Sequence, residues 1–397
     1  MGPGLITGFA GNDAGGVATY TAVGARDGYS LLWLLFLSTA GLVVIQEMCA
    51  RMGAVTGKGL SDLIRERYGV KWTMFAMAAL LIANGSNIAA EYAGIAASLE
   101  LLGVQRIVSV PTAGLLIWVL VVFFSYRIIE RALFVIILAF IAYPVSAAII
   151  GPNWSEVARG LTPSVPGDQG TLIQALALVG TTITPYMQFY IQASIVDKGI
   201  DRQSFRYARV DVFLGALLTG LNGLFIIIVA AAVLHPAGVV VESASDAAQA
   251  LRPLAGAQAQ LLFGVGLFGA SLLAATVMPL STSYAICEAF GWESSISKDF
   301  REAPVFMGLF TLLLVIGGLV VLIPGIPLVP LIVASQNVNG LLLPIVLVFV
   351  LRLASDRTLM GDAANGRTAN VVGWGTAALA SALSLALVAV TLYQALT

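Results

Sequence analysis

Apolar runs near the length that spans a bilayer, about 20 residues, recur along the whole chain. They fall at 4–24, 29–50, 73–101, 108–125, 129–151, 171–196, 211–234, 259–290, 304–324, 328–352 and 370–395, with short polar stretches between them. The pattern predicts eleven membrane helices. Two runs are interrupted. The first, Gly2-Pro3-Gly4-Leu5-Ile6-Thr7-Gly8-Phe9-Ala10-Gly11-Asn12-Asp13-Ala14-Gly15-Gly16, carries an acid flanked by small residues. The sixth reads Leu178-Val179-Gly180-Thr181-Thr182-Ile183-Thr184-Pro185-Tyr186, where Pro185 removes a backbone donor and clashes with the preceding turn. The expected breaks lie near 11–16 and 181–186.

A carboxylate at membrane depth costs about 2.5–3.5 kcal/mol on insertion scales, so it tends to persist for function. A broken helix frees backbone carbonyls, which a bilayer tolerates only where they line a cavity. Asp13 with freed carbonyls is therefore an oxygen-rich place for a hard cation. The plainer alternatives are a buried Asp paired with a base from another helix, and an ordinary proline kink at Pro185.

The two breaks lie five helices apart. An odd offset makes the second half enter the membrane from the opposite side, and matched interruptions of two inverted halves point to a transport site at mid-membrane. The expected organisation is a first repeat at 1–151, an outer linker at 152–170, a second repeat at 171–353, and a loop plus extra helix at 354–397.

Composition agrees with a polytopic membrane protein. The chain is 397 residues, 59% hydrophobic and 10% charged, with a mean hydropathy of +0.94. The net charge of -1 gives no reason to expect nucleic acid. Basic residues set orientation. Arg26, Arg106, Arg159 and Arg252 fall on one side. Every Lys and all other Arg fall on the other, including Arg127, Arg131 and Lys298, so the N-terminus is expected in the cytoplasm of a cell-membrane protein. No basic leader precedes the first helix, so no cleaved signal peptide is expected. Cys49 and Cys287 read as packing residues rather than a disulfide. One histidine, His235, excludes a His-rich metal cluster. The helices offer no paired catalytic carboxylates and no nucleophile with a base, which argues against an enzyme.

Several segments resemble the NRAMP divalent-metal transporters. The family's opening G-P-G and helix-1 D-P-G-N are similar to Gly2-Pro3-Gly4 and Asp13-Ala14-Gly15-Gly16. Its Q-x-x-x-A-R-L-G-x-V-T-G-K-x-L is similar to Gln46-Glu47-Met48-Cys49-Ala50-Arg51-Met52-Gly53-Ala54-Val55-Thr56-Gly57-Lys58-Gly59-Leu60. Ala90-Glu91, Cys287-Glu288-Ala289-Phe290, Ser335-Gln336 and Leu343-Pro344 match further family positions. The resemblance implies an all-α LeuT-type fold, two inverted five-helix repeats plus one helix, working as a monomer in the lipid bilayer.

The departures narrow the function. The family's helix-6 M-P-H is Thr184-Pro185-Tyr186 here, its site Asn is Gly16, and the acid three residues before Glu91 is Ile88. These changes are similar to those of the NRAMP-related magnesium transporters. By position, the implied metal ligands are the Asp13 carboxylate, the Ala10 and Thr181 carbonyls, the Thr184 hydroxyl and the Gln336 side chain, with Gly16 adding space. A hydroxyl is a hard ligand where a thioether is soft, and Mg keeps several waters with few carboxylates. The expectation is import of partly hydrated Mg2+, and of Mn2+, without a resident cofactor and without proton coupling. Proton-coupled transport of Mn2+ or Fe2+ remains an alternative, as does a Na-coupled organic-solute transporter of the same fold. Thr184 bonded back to its own helix and Gln336 in an interhelical hydrogen bond also stay open, and Glu91 reads as structural.

Overall fold

The structure is a computed structural model that describes residues 2–123, 141–165, 167–294 and 300–396. Among these residues every regular element is helical. The membrane elements are α1 (Pro3–Ala10), α2 (Ala14–Asp27), α3 (Leu32–Thr56), α4 (Leu60–Glu100), α5 (Arg106–Phe123), α6 (Ala142–Ile150), α7 (Gln169–Thr182), α8 (Pro185–Asp197), α9 (Phe205–Val233), α10 (Ala259–Phe290), α11 (Pro304–Val321), α12 (Leu328–Ser355) and α13 (Arg367–Leu396). Eight candidate spans are long and apolar enough to cross a membrane: α3, α4, α5, α9, the stretch ending in α10, α11, α12 and α13. The interrupted runs appear as the pairs α1/α2 and α7/α8. Part of the expected 129–151 helix lies outside the described residues, as do Arg127, Arg131 and Lys298.

Both breaks are tighter than expected. Only Gly11, Asn12 and Asp13 separate α1 from α2, and Gly15 and Gly16 already belong to the first turn of α2. Only Ile183 and Thr184 separate α7 from α8, because Pro185, with its fixed φ and missing amide, is suited to open a helix. The third helix starts earlier than its apolar run. α4 begins at Leu60 and bends at Gly69, whose φ of 78° is left-handed.

The broken helices sit at the centre. The other long helices wall them, chiefly through α10 and α12 on α4 and α9 on α2. Close approach depends on missing side chains. A Cβ on Gly180 of α7 would run into the Gln336 carbonyl and the Gly340 amide of α12, and one on Gly94 of α4 would strike Ser271 and Ala14. This is packing by small residues, the usual basis of helix association in lipid. Cys49 and Cys287 are both free and buried.

The seam predicts an asymmetry. Gly180→Ala should cost about 1–3 kcal/mol of overpacking and lower the melting temperature in detergent. Gly85→Ala, where a Cβ meets nothing within 4 Å, should be neutral or stabilising. Equal melting of both variants with the parent would count against the seam.

Candidate functional site

Asp13 is the N-cap of α2. It accepts from the Gly16 amide at 2.7 Å through Oδ1, in the extended backbone conformation that N-caps adopt. Its Oδ2 is buried and has no partner. Glu91 of α4 reaches the same helix end: its Oε2 accepts from the Ala14 amide at 3.1 Å, and its Oε1 is also buried without a partner. The start of α2 thus holds two carboxylates, Asp13 and Glu91, where the resemblance implied only Asp13 as a carboxylate ligand. Each uses one oxygen on the helix and leaves the other unpaired.

Gln336 lies over this end. A Cβ on Gly15 would collide with its Nε2, so the amide rests directly on the first turn of α2. The side chain belongs to a buried amide cluster. Gln336 Nε2 donates to Asn87 Oδ1 at 3.2 Å and to Ser335 Oγ at 3.0 Å, and its Oε1 accepts from Asn339 Nδ2 at 2.8 Å. Asn87 and Asn339 also bond each other at 2.9 Å in both directions. The interhelical role left open for Gln336 is therefore present.

At the second break, Thr184 Oγ1 donates to the Thr181 carbonyl at 3.2 Å. The two residues implied as ligands on this helix are bonded to each other, the local back-bonding common for Thr in membrane helices. Thr181 Oγ1 has no partner. The breaks meet each other. Tyr20 Oη and Thr182 Oγ1 are 3.1 Å apart, and the Met187 methyl packs where a Gly11 Cβ would be. The Met187 sulfur accepts from Gln46 Nε2 at 3.7 Å, so the thioether is held toward α3.

Gly16 adds less space than expected: a Cβ there would meet the Gly11 carbonyl at 3.2 Å. Ala10 ends α1, and the Gly8 carbonyl two residues earlier accepts from Thr219 Oγ1 at 2.8 Å. Asp13, Thr181, Thr184 and Gln336 are all buried. On the Arg26 side of the molecule, Arg26 pairs with Asp168 at 2.9 Å and Thr171 donates to Asp27 at 2.7 Å, tying the end of α2 to the start of α7. The Thr171 amide and hydroxyl, then Arg26, hold the Asp168 carboxyl below its usual range. A group with a lowered pKa supports the tie above its ordinary value and loses it as pH falls through the lowered one. His235 bonds the Ala25 carbonyl at 3.0 Å, far from either break. Among the described residues no group of three His, Cys, Asp or Glu side chains is arranged to hold a metal.

The sequence reading missed Asn87 and Asn339. The available signal was spacing: Asn84, Asn87 and Glu91 are polar on one face of an apolar helix, at i, i+3 and i+7.

Helices broken side by side at the centre of an all-helical bundle define a LeuT-type transporter fold. The Nramp pattern, described as Natural resistance-associated macrophage protein-like, matches residues 4–390, and the chain belongs to that family. The Divalent metal cation transporter MntH 1 of Pseudomonas aeruginosa is 32% identical over 98% of this chain and 90% of its own length. MntH of Deinococcus radiodurans is 29% identical over 97% and 88%. The fold is similar to that of a manganese transporter of Eremococcus coleocola, with a TM-score of 0.79 at 23% identity over 97% of this chain and 85% of that one. It is also similar to MhsT in complex with L-phenylalanine, with a TM-score of 0.58 at 14% identity over 97% of each.

The amide cluster generates a prediction. Asn339→Leu leaves the Asn87 amide and the Gln336 carbonyl unpaired, at about 1–3 kcal/mol. Asn87→Leu with Asn339→Leu should lose less than the sum of the single changes, since the partners leave together. Thermal melts of the three variants check this, and strict additivity would dissolve the cluster as a unit.

Proposed function

We propose that this chain is a secondary transporter importing divalent metal cations, Mg2+ and Mn2+, through the two breaks by alternating access. The observation that carries it is the pair of unpaired carboxylate oxygens, Asp13 Oδ2 and Glu91 Oε1, at one interrupted helix. Two carboxylate oxygens are hard donors of the kind a doubly charged ion takes. The neighbouring donors, Thr181, Thr184 and Gln336, offer oxygen only, and hard oxygen ligands remove the preference for softer transition metals. Asp13, the Ala10 and Thr181 carbonyls, the Thr184 hydroxyl and the Gln336 amide oxygen would act as ligands, some through water. Thr184 must then turn from the Thr181 carbonyl, and Gln336 must give up Asn339. Gly16 keeps the approach to Asp13 free of a side chain. An organic anion as cargo would be repelled by the two acids.

The reading includes uniport. No imidazole stands at either break, where Tyr186 follows Pro185, and tyrosine, with a pKa of about 10, is a poor relay near neutrality. The membrane potential supplies about 4.6 kcal/mol per 100 mV for a doubly charged ion, twice the value for one charge. A second reading, proton-coupled Mn2+ transport, is favoured by one observation: Glu91 and Asp13 share a helix end, and neighbouring buried carboxylates can share a proton.

Two outcomes are expected. Asp13→Ala should abolish Mg2+ and Mn2+ uptake into proteoliposomes while the protein still purifies folded; near-normal uptake would remove the basis of the site. With the potential clamped and a pH dye in the lumen, an inward Mg2+ or Mn2+ gradient should drive metal entry without acidification. Metal-dependent acidification lost in Glu91→Gln would establish the second reading instead.

A further inference from the structure

The first turn of any helix has amides with no partner inside the helix. In α1 those amides are met from another helix. Asp211 of α9 accepts from the Gly4 amide at 2.6 Å and from the Leu5 amide at 3.3 Å, both through Oδ2. Below this contact the two backbones touch. A Cβ on Gly4 would run into the Val212 backbone, one on Gly8 into the Gly215 carbonyl, and one on Gly215 into the Gly4 carbonyl. Thr219, two turns along α9, closes the seam by donating to the Gly8 carbonyl at 2.8 Å.

The two sides of this seam are not equally anchored. α9 is fixed near its start: Arg209 pairs with Glu47 of α3 at 3.3 Å, Glu47 pairs with Arg51 at 3.2 Å, and Arg51 bonds Asn365 at 2.7 Å and the Ala363 carbonyl. α1 has eight residues, packs chiefly on α9, and ends at the non-helical Gly11–Asp13 stretch. It is a short lever hinged at the break and held at its far end.

We propose that Asp211 is a positioning residue, latching α1 onto α9 and setting how often the inner half of the broken helix lifts from the site. A carboxylate suits this role because it accepts from both amides and complements the positive end of the helix. The glycine seam gives contact without side chains to interlock, so α1 can leave α9 without unthreading. The proposal rests on the transport reading for its purpose. Its test reads helix movement rather than flux, so either can fail alone.

The reporter is Thr219→Cys in a Cys49→Ser background. Position 219 is buried under Gly8 and lies two turns from Asp211, too far for the carboxylate to tune the thiol directly. Native Cys287 on α10 is buried and serves as the internal control. Maleimide labelling of the full chain in lipid nanodiscs is followed by peptide mass spectrometry. Asp211→Ala should raise the labelling rate at 219 roughly tenfold, the population change that loss of a helix cap produces, with Cys287 unchanged. The isosteric Asp211→Asn keeps one acceptor and should give a smaller rise, and it carries the test if Asp211→Ala does not fold. Rates within twofold of the parent in the folded variants would overturn the latch. So would a parallel rise at Cys287, which would mark general loosening.

Discussion

A helix cut inside a membrane exposes amides at one end and carbonyls at the other, where no water can satisfy them. That constraint organises the centre of this molecule. α2 is capped by Asp13, its own N-cap residue, and by Glu91 from α4. α1 is capped by Asp211 from α9. Away from the breaks, Asp168 caps the exposed start of α7. α8 opens with Pro185, which has no amide to satisfy. On the carbonyl side, Thr219, Thr182 and Thr184 donate to Gly8, Leu178 and Thr181. Some of the polar residues of an otherwise apolar interior are thus placed where the backbone is interrupted, while Asn87 and Asn339 join two unbroken helices instead.

The same constraint explains the glycines. Capping a half-helix from a neighbour requires that neighbour to come close, and close approach requires side chains to be absent. Gly4 and Gly8 against Gly215 bring α9 near enough for Asp211 and Thr219 to reach α1. Gly15 lets the Gln336 amide lie on α2, and Gly180 lets the Gln336 backbone lie on α7. Gln336 therefore sits at the crossing of both broken helices. Its position is fixed by two glycines and by the amides of Asn87 and Asn339.

Much of this was legible in the residues. Asp13 among glycines and Pro185 among threonines marked both interruptions, because local chemistry alone ends a helix there. Their extent was overestimated: Gly15 and Gly16 are helical because Asp13 caps the turn that contains them. What could not be read was which distant side chain meets which end. Glu91, Asp211 and the Asn87–Asn339 pair lie far along the chain from their partners, and only tertiary packing joins them. Gly16 looked like added room, yet the Gly11 carbonyl stands close by, a consequence of the tight turn through Asn12. The Thr184 hydroxyl, implied as a ligand with the back-bond as its alternative, makes the back-bond in this structure.

The capping arrangement also bears on how a cation could be held and released. If the carboxylates spent both oxygens on α2, metal binding would have to unravel the helix that positions them. Instead each spends one oxygen on an amide and keeps one unpaired. In the proposed reading, a divalent ion would gain two carboxylate oxygens while the first turn of α2 stays intact. The donors that must rearrange are neutral: the Thr184 hydroxyl and the Gln336 amide each leave one hydrogen bond of ordinary net worth, about 0.5–1.5 kcal/mol. The carboxylate part of the site is thus preformed and the hydroxyl and amide part is adjustable. A shallow well of this kind suits a transporter, which must bind its cargo firmly enough to select it and loosely enough to let it go.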